Sequence, residues 1–263
     1  MSGPAQPLLV RAFSVLAAFA PGHPERSLAE LTEITGVPRS TVHRLAGQLV
    51  ELGALERTPR GWRLGMRMFE LGQLVPAQQR LREAALPHMS GLYEASRQTV
   101  QLAVLDEREV VYIEVLHGRR KVPSPSRRGG RMPAHCTAVG KVLMAFGPDA
   151  RIASGDRLTA RTRFTITEPA ALHTELADIR RSALAFDNQE AMLGLRCVAA
   201  PVLGHGTVAV AALSVSMPAD GDLAPEAIAP AVRAAALALG RDLRGPVTRP
   251  LPGRPPGPPS PAR

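Results

Sequence analysis

Two cysteines in 263 residues, Cys136 and Cys197, are too few for a disulfide framework, and neither has the local spacing of a metal finger. A zinc-dependent sensor would have to draw on His117, His135, Cys136 and Cys197, which are scattered along the chain. Lysine is also scarce. Lys121 and Lys141 are the only two, so almost all positive charge is arginine. No apolar run is long enough to cross a bilayer and no secretory signal precedes the first helical pattern, so the expected compartment is the cytoplasm. Catalysis has little to work with. A nucleophile, base and orienter would have to come from Cys197 or Cys136 with His135 and Glu190, and no nucleophile elbow surrounds either cysteine. No enzymatic activity, cofactor or resident metal is expected.

What the chain does have is arginine. Lys and Arg total 32 against 23 acidic residues, a net charge of +9 that favours polyanionic partners without dictating a fold. The length accommodates two domains.

The segment Ser27–Leu45 is the most informative. Ser27 and Glu30 have capping-box spacing at the start of a short helix whose Leu28, Leu31 and Ile34 fall on one inward stripe. Gly36 suits a left-handed helix end, and Pro38 blocks continuation. Arg39 and Ser40 open a second helix, with Ser40 either its cap or an early helical residue. Val42, Leu45, Ala46 and Leu49 form its apolar side; Ser40, Arg44 and Gly47 lie opposite, flanked by His43 and Gln48. Two short strand patterns follow, Leu55–Thr58 and Trp62–Leu64, joined by Pro59-Arg60-Gly61. Trp62, the only tryptophan, alternates with Leu64 and is expected to pack inward. Helix, turn, helix and ribbon in this order predict a winged helix-turn-helix that reads double-stranded operator DNA. Arginine pairs bidentately with guanine, glutamine with adenine, and Ser or Thr with bases or phosphates. The expected DNA-binding residues are therefore Arg39, Ser40, Thr41, His43, Arg44 and Gln48, with Arg60 at the wing tip reaching phosphates or the minor groove.

Before this motif, a helix over Leu8–Phe19 is expected to bury Leu9, Phe13, Leu16 and Phe19. After it, Met66–Leu74 reads as a connecting helix able to pair across a dimer. The expected domains are residues 1–65 for the reader, 66–80 for a linker helix, 81–244 for a second domain, and 245–263 for a disordered Pro- and Arg-rich tail. In the second domain the pattern predicts a helix to Ser96. Strands over Thr99–Leu105 and Val110–Leu116 follow, then an irregular arginine-rich loop from Gly118 to Arg131. Helices over Thr137–Phe146 and Pro169–Arg181, strands over Cys197–Val202 and Val208–Ser216, and a helix over Ala224–Leu243 complete it. That interleaving predicts an α+β domain. Lys141 and Glu190 are expected to form an ion pair, and His135 a structural hydrogen bond.

Four segments together resemble the IclR family of bacterial transcriptional regulators: Val37–Leu45, Met132–Lys141, the stretch from Glu190 through Gly194–Val202, and Ala212–Ser216. The resemblance covers roughly Leu8 to Leu243. It implies a GAF-like effector domain behind the winged reader, homodimers that can pair as dimers of dimers, and a small-molecule effector, frequently a carboxylic acid. Carried over position by position, it implies an effector site at Met132, Ala138, Val139, Asp187, Leu195, Cys197, Ser214 and Ser216. The N–H groups at the start of the helix beginning near Ala138 would be placed to receive a carboxylate. The chain departs from the family at Ala134, where a larger apolar residue is usual, and in the loop Ser124-Pro125-Ser126-Arg127-Arg128.

Overall fold

The computed structural model describes residues 7–20, 22–119, 126–147 and 158–245. The stretch 120–125, with Lys121, Ser124 and Pro125, and the tail from residue 246 lie outside the described residues. The chain divides at Gln79/Arg80 into two units.

In the first unit, α1 (Leu8–Ala17), α2 (Leu28–Thr35) and α3 (Arg39–Glu51) pack around Val15, Leu31, Val42, Ala46 and Leu49. The α2 start is a complete capping box. Glu30 N donates to Ser27 Oγ at 3.3 Å, and Ser27 N donates to Glu30 Oε2 at 2.8 Å. Such a cap stabilises a helix by about 1 kcal/mol. Gly36 ends α2 at φ 64°, a left-handed conformation that costs glycine nothing. Pro38 then caps α3, so Ser40 sits inside its first turn. The wing is β2 (Leu55–Thr58) and β3 (Gly61–Leu64), and a short strand β1 (Glu25–Arg26) adds to β3, giving the order β1-β3-β2.

Several inward assignments are corrected. Leu9 and Phe13 are 73% and 69% exposed, and Val15 and Ala18 are the buried residues of that helix. Leu16 and Phe19 are half-buried. Because α1 is apolar nearly all round, its periodicity does not choose a face; small residues settle against α3 instead. Ile34 is exposed, and Val37, beyond the turn, is buried with Leu31 in the same core. Leu64 is 44% exposed although it pairs with Leu55, while Trp62 is buried as expected. After the wing, α4 (Met66–Gln73) buries none of its residues.

Pro76 starts α5 (Pro76–Ser96), since proline tolerates the first helical turn. The second unit is a six-stranded antiparallel sheet of order β6-β5-β4-β9-β8-β7. Its strands are β4 (Thr99–Asp106), β5 (Glu109–Leu116), β6 (Arg131–Pro133), β7 (Ala185–Asn188), β8 (Leu195–Leu203) and β9 (Ala209–Pro218). Period-two alternation sorts the side chains. Leu213, Val215, Val198 and Ala200 face a core shared with α5 and α8 (Pro225–Arg244). Ala212, Ala199 and Cys197 face the other core, built with α6 (Ala138–Phe146) and α7 (Pro169–Ser182). The short edge strands β6 and β7, like β1, had not been anticipated; two to four residues are too few for a periodic signal.

Candidate DNA interface and effector cavity

On α3 the two sides separate cleanly. Leu45 is 2% and Leu49 7% exposed, with Val42 and Ala46 fully buried, whereas Arg39, Ser40, His43, Arg44 and Gln48 face out and Thr41 is half-buried. Neither Arg39 nor Arg44 has an acidic partner among the described residues, so both guanidinium groups are open to a ligand of opposite charge. A Cβ built on Gly47 would meet nothing within 4 Å among the described residues. No packing requirement within the protein explains the glycine.

The wing is held against α3 through Trp62. His43 meets its ring edge-on at 6.2 Å between centroids, and the Arg57 guanidinium lies 5.9 Å from the ring centroid. Arg63 is tied to Glu56 at 2.7 Å. Arg60, at the tip, is almost fully exposed and approaches Glu25 at 3.5 Å. An ion pair so open to water is weak and leaves the arginine available.

The second unit contains a small cavity of about 20 Å³, room for about one water and well below the usual size of a ligand pocket, so a ligand would have to widen it. All eight positions carried over from the resemblance line it: Met132, Ala138, Val139, Asp187, Leu195, Cys197, Ser214 and Ser216. Strand register is what gathers them. Asp187 lies opposite Cys197 across β7–β8, and Cys197 lies opposite Ser216 across β8–β9, so three polar groups form one row.

Four further lining residues escaped the sequence reading: Gln101, Tyr112, Thr137 and Ala191. Gln101 did leave a signal, as a polar residue among Val100, Leu102, Ala103, Val104 and Leu105. Thr137 left another, as a cap residue before an apolar run. Its Oγ1 accepts from Gly140 N at 3.1 Å, so that N–H, expected to be available for a carboxylate, is already used. Ala138 and Val139 supply the N–H groups that remain at the helix start. Gly140 allows this turn to sit tightly on the chain, because a Cβ there would lie 2.2 Å from the carbonyl oxygen of Ala134.

Burial dominates the electrostatics. It pushes the Asp187 carboxyl up to about 7, although N–H groups of Glu190 and Ala191 donate to its Oδ1 at 2.7 and 3.4 Å. Behind the cavity wall, Lys141 is wholly buried and donates to Glu190 at 2.5 Å and to Glu175 at 2.6 Å. Burial works against that ammonium, but the two carboxylates outweigh it and raise its pKa. The expected Lys141–Glu190 pair is present, with Glu175 as an unforeseen third member. Burial lowers the His135 pKa, and its Nε2 makes the expected structural hydrogen bond, to Thr159 O at 3.1 Å.

The cysteine chemistry finds no support. Burial pushes the Cys136 thiol up to about 12 and raises Cys197 further, so neither is a thiolate near neutrality. Among the described residues no group of three or more His, Cys, Asp or Glu could hold a metal ion, and no helix is long and apolar enough to cross a membrane.

Two family models match the chain, the IclR helix-turn-helix domain over residues 8–59 and the bacterial transcriptional regulator IclR C-terminal domain over residues 73–241. The chain belongs to the IclR family. It is 35% identical over 211 residues to the HTH-type transcriptional regulator XynR of Escherichia coli, covering 78% of this chain and 84% of that protein. Among solved structures, an IclR homolog from Microbacterium hydrocarbonoxydans complexed with 4-hydroxybenzoate matches with a TM-score of 0.82 and 32% identity, over 90% of this chain and 99% of that one. The Thermotoga maritima IclR matches with a TM-score of 0.72 and 28% identity, over 89% and 98% of the two chains. This IclR-family chain is thus a transcriptional regulator with a DNA-binding helix-turn-helix and an α+β effector domain.

Proposed function

We propose that this regulator binds operator DNA through α3 and changes its DNA affinity when a small organic acid occupies the cavity of the second unit. Arg39, Ser40, Thr41, His43, Arg44 and Gln48 enter the major groove, and Arg60 on the wing contacts phosphates or the adjacent minor groove. Met132, Ala138, Val139 and Leu195 enclose the ligand body, while Asp187, Cys197, Ser214 and Ser216 hold its polar end. The N–H groups of Ala138 and Val139 receive a carboxylate at the helix start. Two copies pair through the exposed apolar residues of α1 and α4, among them Leu9, Phe13, Met66 and Phe69, and pairs can associate further. On this reading the protein works in the cytoplasm as a non-enzymatic switch needing no cofactor.

One observation carries the effector reading: eight residues from five separate elements meet on a single cavity. That the similar M. hydrocarbonoxydans protein was crystallised with a hydroxybenzoate supports an acid as ligand. The test is a thermal-shift panel of small carboxylic acids on the full chain, followed by DNA binding with and without each hit. An acid that raises the melting temperature and alters DNA affinity is the expected result. A panel without shifts, or hits that leave DNA binding unchanged, would count against the reading.

A further inference from the structure

The sheet wall of the cavity carries a chain of hydrogen bonds centred on Gln101 of β4, itself one of the lining residues. That side chain is 3% exposed and lies opposite Ser214 in the β4–β9 register. Its Oε1 accepts from Ser214 Oγ at 2.7 Å and from Ser216 Oγ at 2.8 Å, while its Nε2 donates to Ser126 Oγ at 2.7 Å. A hydroxyl has one proton to give. With both serine protons directed at Gln101, the two oxygens offer the cavity lone pairs alone. Cys197 Sγ lies 2.9 Å from Ser216 Oγ, and because that hydroxyl proton is committed, the thiol is the donor there. Asp187 adds a second acceptor type in its ionised form, which prevails above about pH 7. Its Oδ1 is occupied by the N–H groups of Glu190 and Ala191, and its Oδ2 has no partner among the described residues, although the side chain is almost wholly buried. No arginine or lysine among the described residues lines the cavity, and Lys141 donates to Glu175 and Glu190.

We propose that Gln101 sets the ligand specificity of this cavity: by drawing both serine protons to its own oxygen it makes the sheet wall an acceptor surface, so the fitting effector is an acid that also carries a hydroxyl or N–H donor. This rests on the effector reading above and narrows it, from acids in general to hydrogen-donating acids. A keto or halogenated acid of the same size sets acceptor against acceptor and leaves both unpaired, a mismatch that buried polar sites reject strongly. Gln101 lines the cavity too, but the role proposed for it is indirect. It acts as a positioning residue, through the serines.

The test measures binding to the full chain by titration calorimetry with two size-matched pairs of probes, lactate against pyruvate and 4-hydroxybenzoate against 4-fluorobenzoate. The hydroxyl member of whichever pair binds is expected to bind about tenfold tighter or more. Gln101→Met frees the serine protons and brings that ratio towards one, whereas Gln101→Glu, with an acceptor in the same place, keeps it. A loss of packing alone would weaken both members of a pair alike and leave the ratio standing. A ratio near one in the wild type, or a preference for pyruvate or 4-fluorobenzoate, overturns the proposal, as does an unchanged ratio in folded Gln101→Met. If none of the four probes binds, the acid reading itself falls and the inference with it.

Discussion

Gly47 poses the clearest question at the scale of single residues. Glycine inside a helix destabilises it by about 1 kcal/mol relative to alanine, yet nothing among the described residues would touch a Cβ at this position. If α3 lies against a duplex, the space is reserved for DNA. Gly47→Ala is therefore expected to raise the unfolding free energy by about 1 kcal/mol while weakening operator binding. Denaturant melts and DNA titrations on the same preparation would check it, and unchanged binding would leave the glycine without a role. Asp187 supplies a pH prediction. Its folded-state pKa of about 7 stands above the ordinary 3.8, so the ionised form burdens the folded state. The burden is absent below about 3.8, grows through the interval, and is complete above about 7. Asp187→Asn keeps an acceptor for the N–H groups of Glu190 and Ala191 and removes the charge. It is expected to raise the melting temperature more at pH 8 than at pH 5; an equal rise at both would contradict the buried-carboxylate account. Glu30 behaves oppositely. Its bonds with Ser27 and Arg26 lower the carboxyl to about 2, so the cap persists until pH falls towards that value.

Elements differ in how much of themselves they disclosed. The α3 helix was legible because four apolar residues lie on one side and polar groups on the other, leaving a single way to dock it. Leu45→Ala, deep in that contact, should cost about 2–5 kcal/mol, read as a fall in melting temperature. The α1 helix was not legible in the same way: Leu8, Leu9, Val10 and Phe13 are all apolar, and neighbours select Val15 and Ala18 instead. The exposed residues of α1 and α4 carry the proposed pairing of copies. Phe13→Asp should accordingly shift the sedimenting mass towards smaller assemblies at micromolar concentration, and an unchanged mass would move the interface elsewhere. The cavity was legible chiefly through the family resemblance. Residue pattern alone put Ser214 and Ser216 on one strand face, but Asp187 and Cys197 joined them only through pairing between strands, which no local window contains. Gln101 was missed for the same reason, since its importance lies in what the register sets opposite it.

For the whole molecule, the net charge of +9 and the unpaired arginines of α3 imply an association steered by charge and sensitive to salt. The wing contributes one contact in this scheme. Arg60→Ala should weaken binding by a similar factor on every sequence and reduce the salt slope by about 1. The central claim is that α3 reads sequence from its arginine-bearing side. The most direct measurement is fluorescence anisotropy with a duplex selected from random sequences by the wild-type protein, and with a scrambled duplex, for wild type and Arg44→Ala. The account predicts that wild type strongly prefers the selected duplex and that Arg44→Ala loses about 1–3 kcal/mol of that preference while remaining folded. Equal affinity of the wild type for both duplexes, or an Arg44→Ala variant with undiminished selectivity, would contradict it.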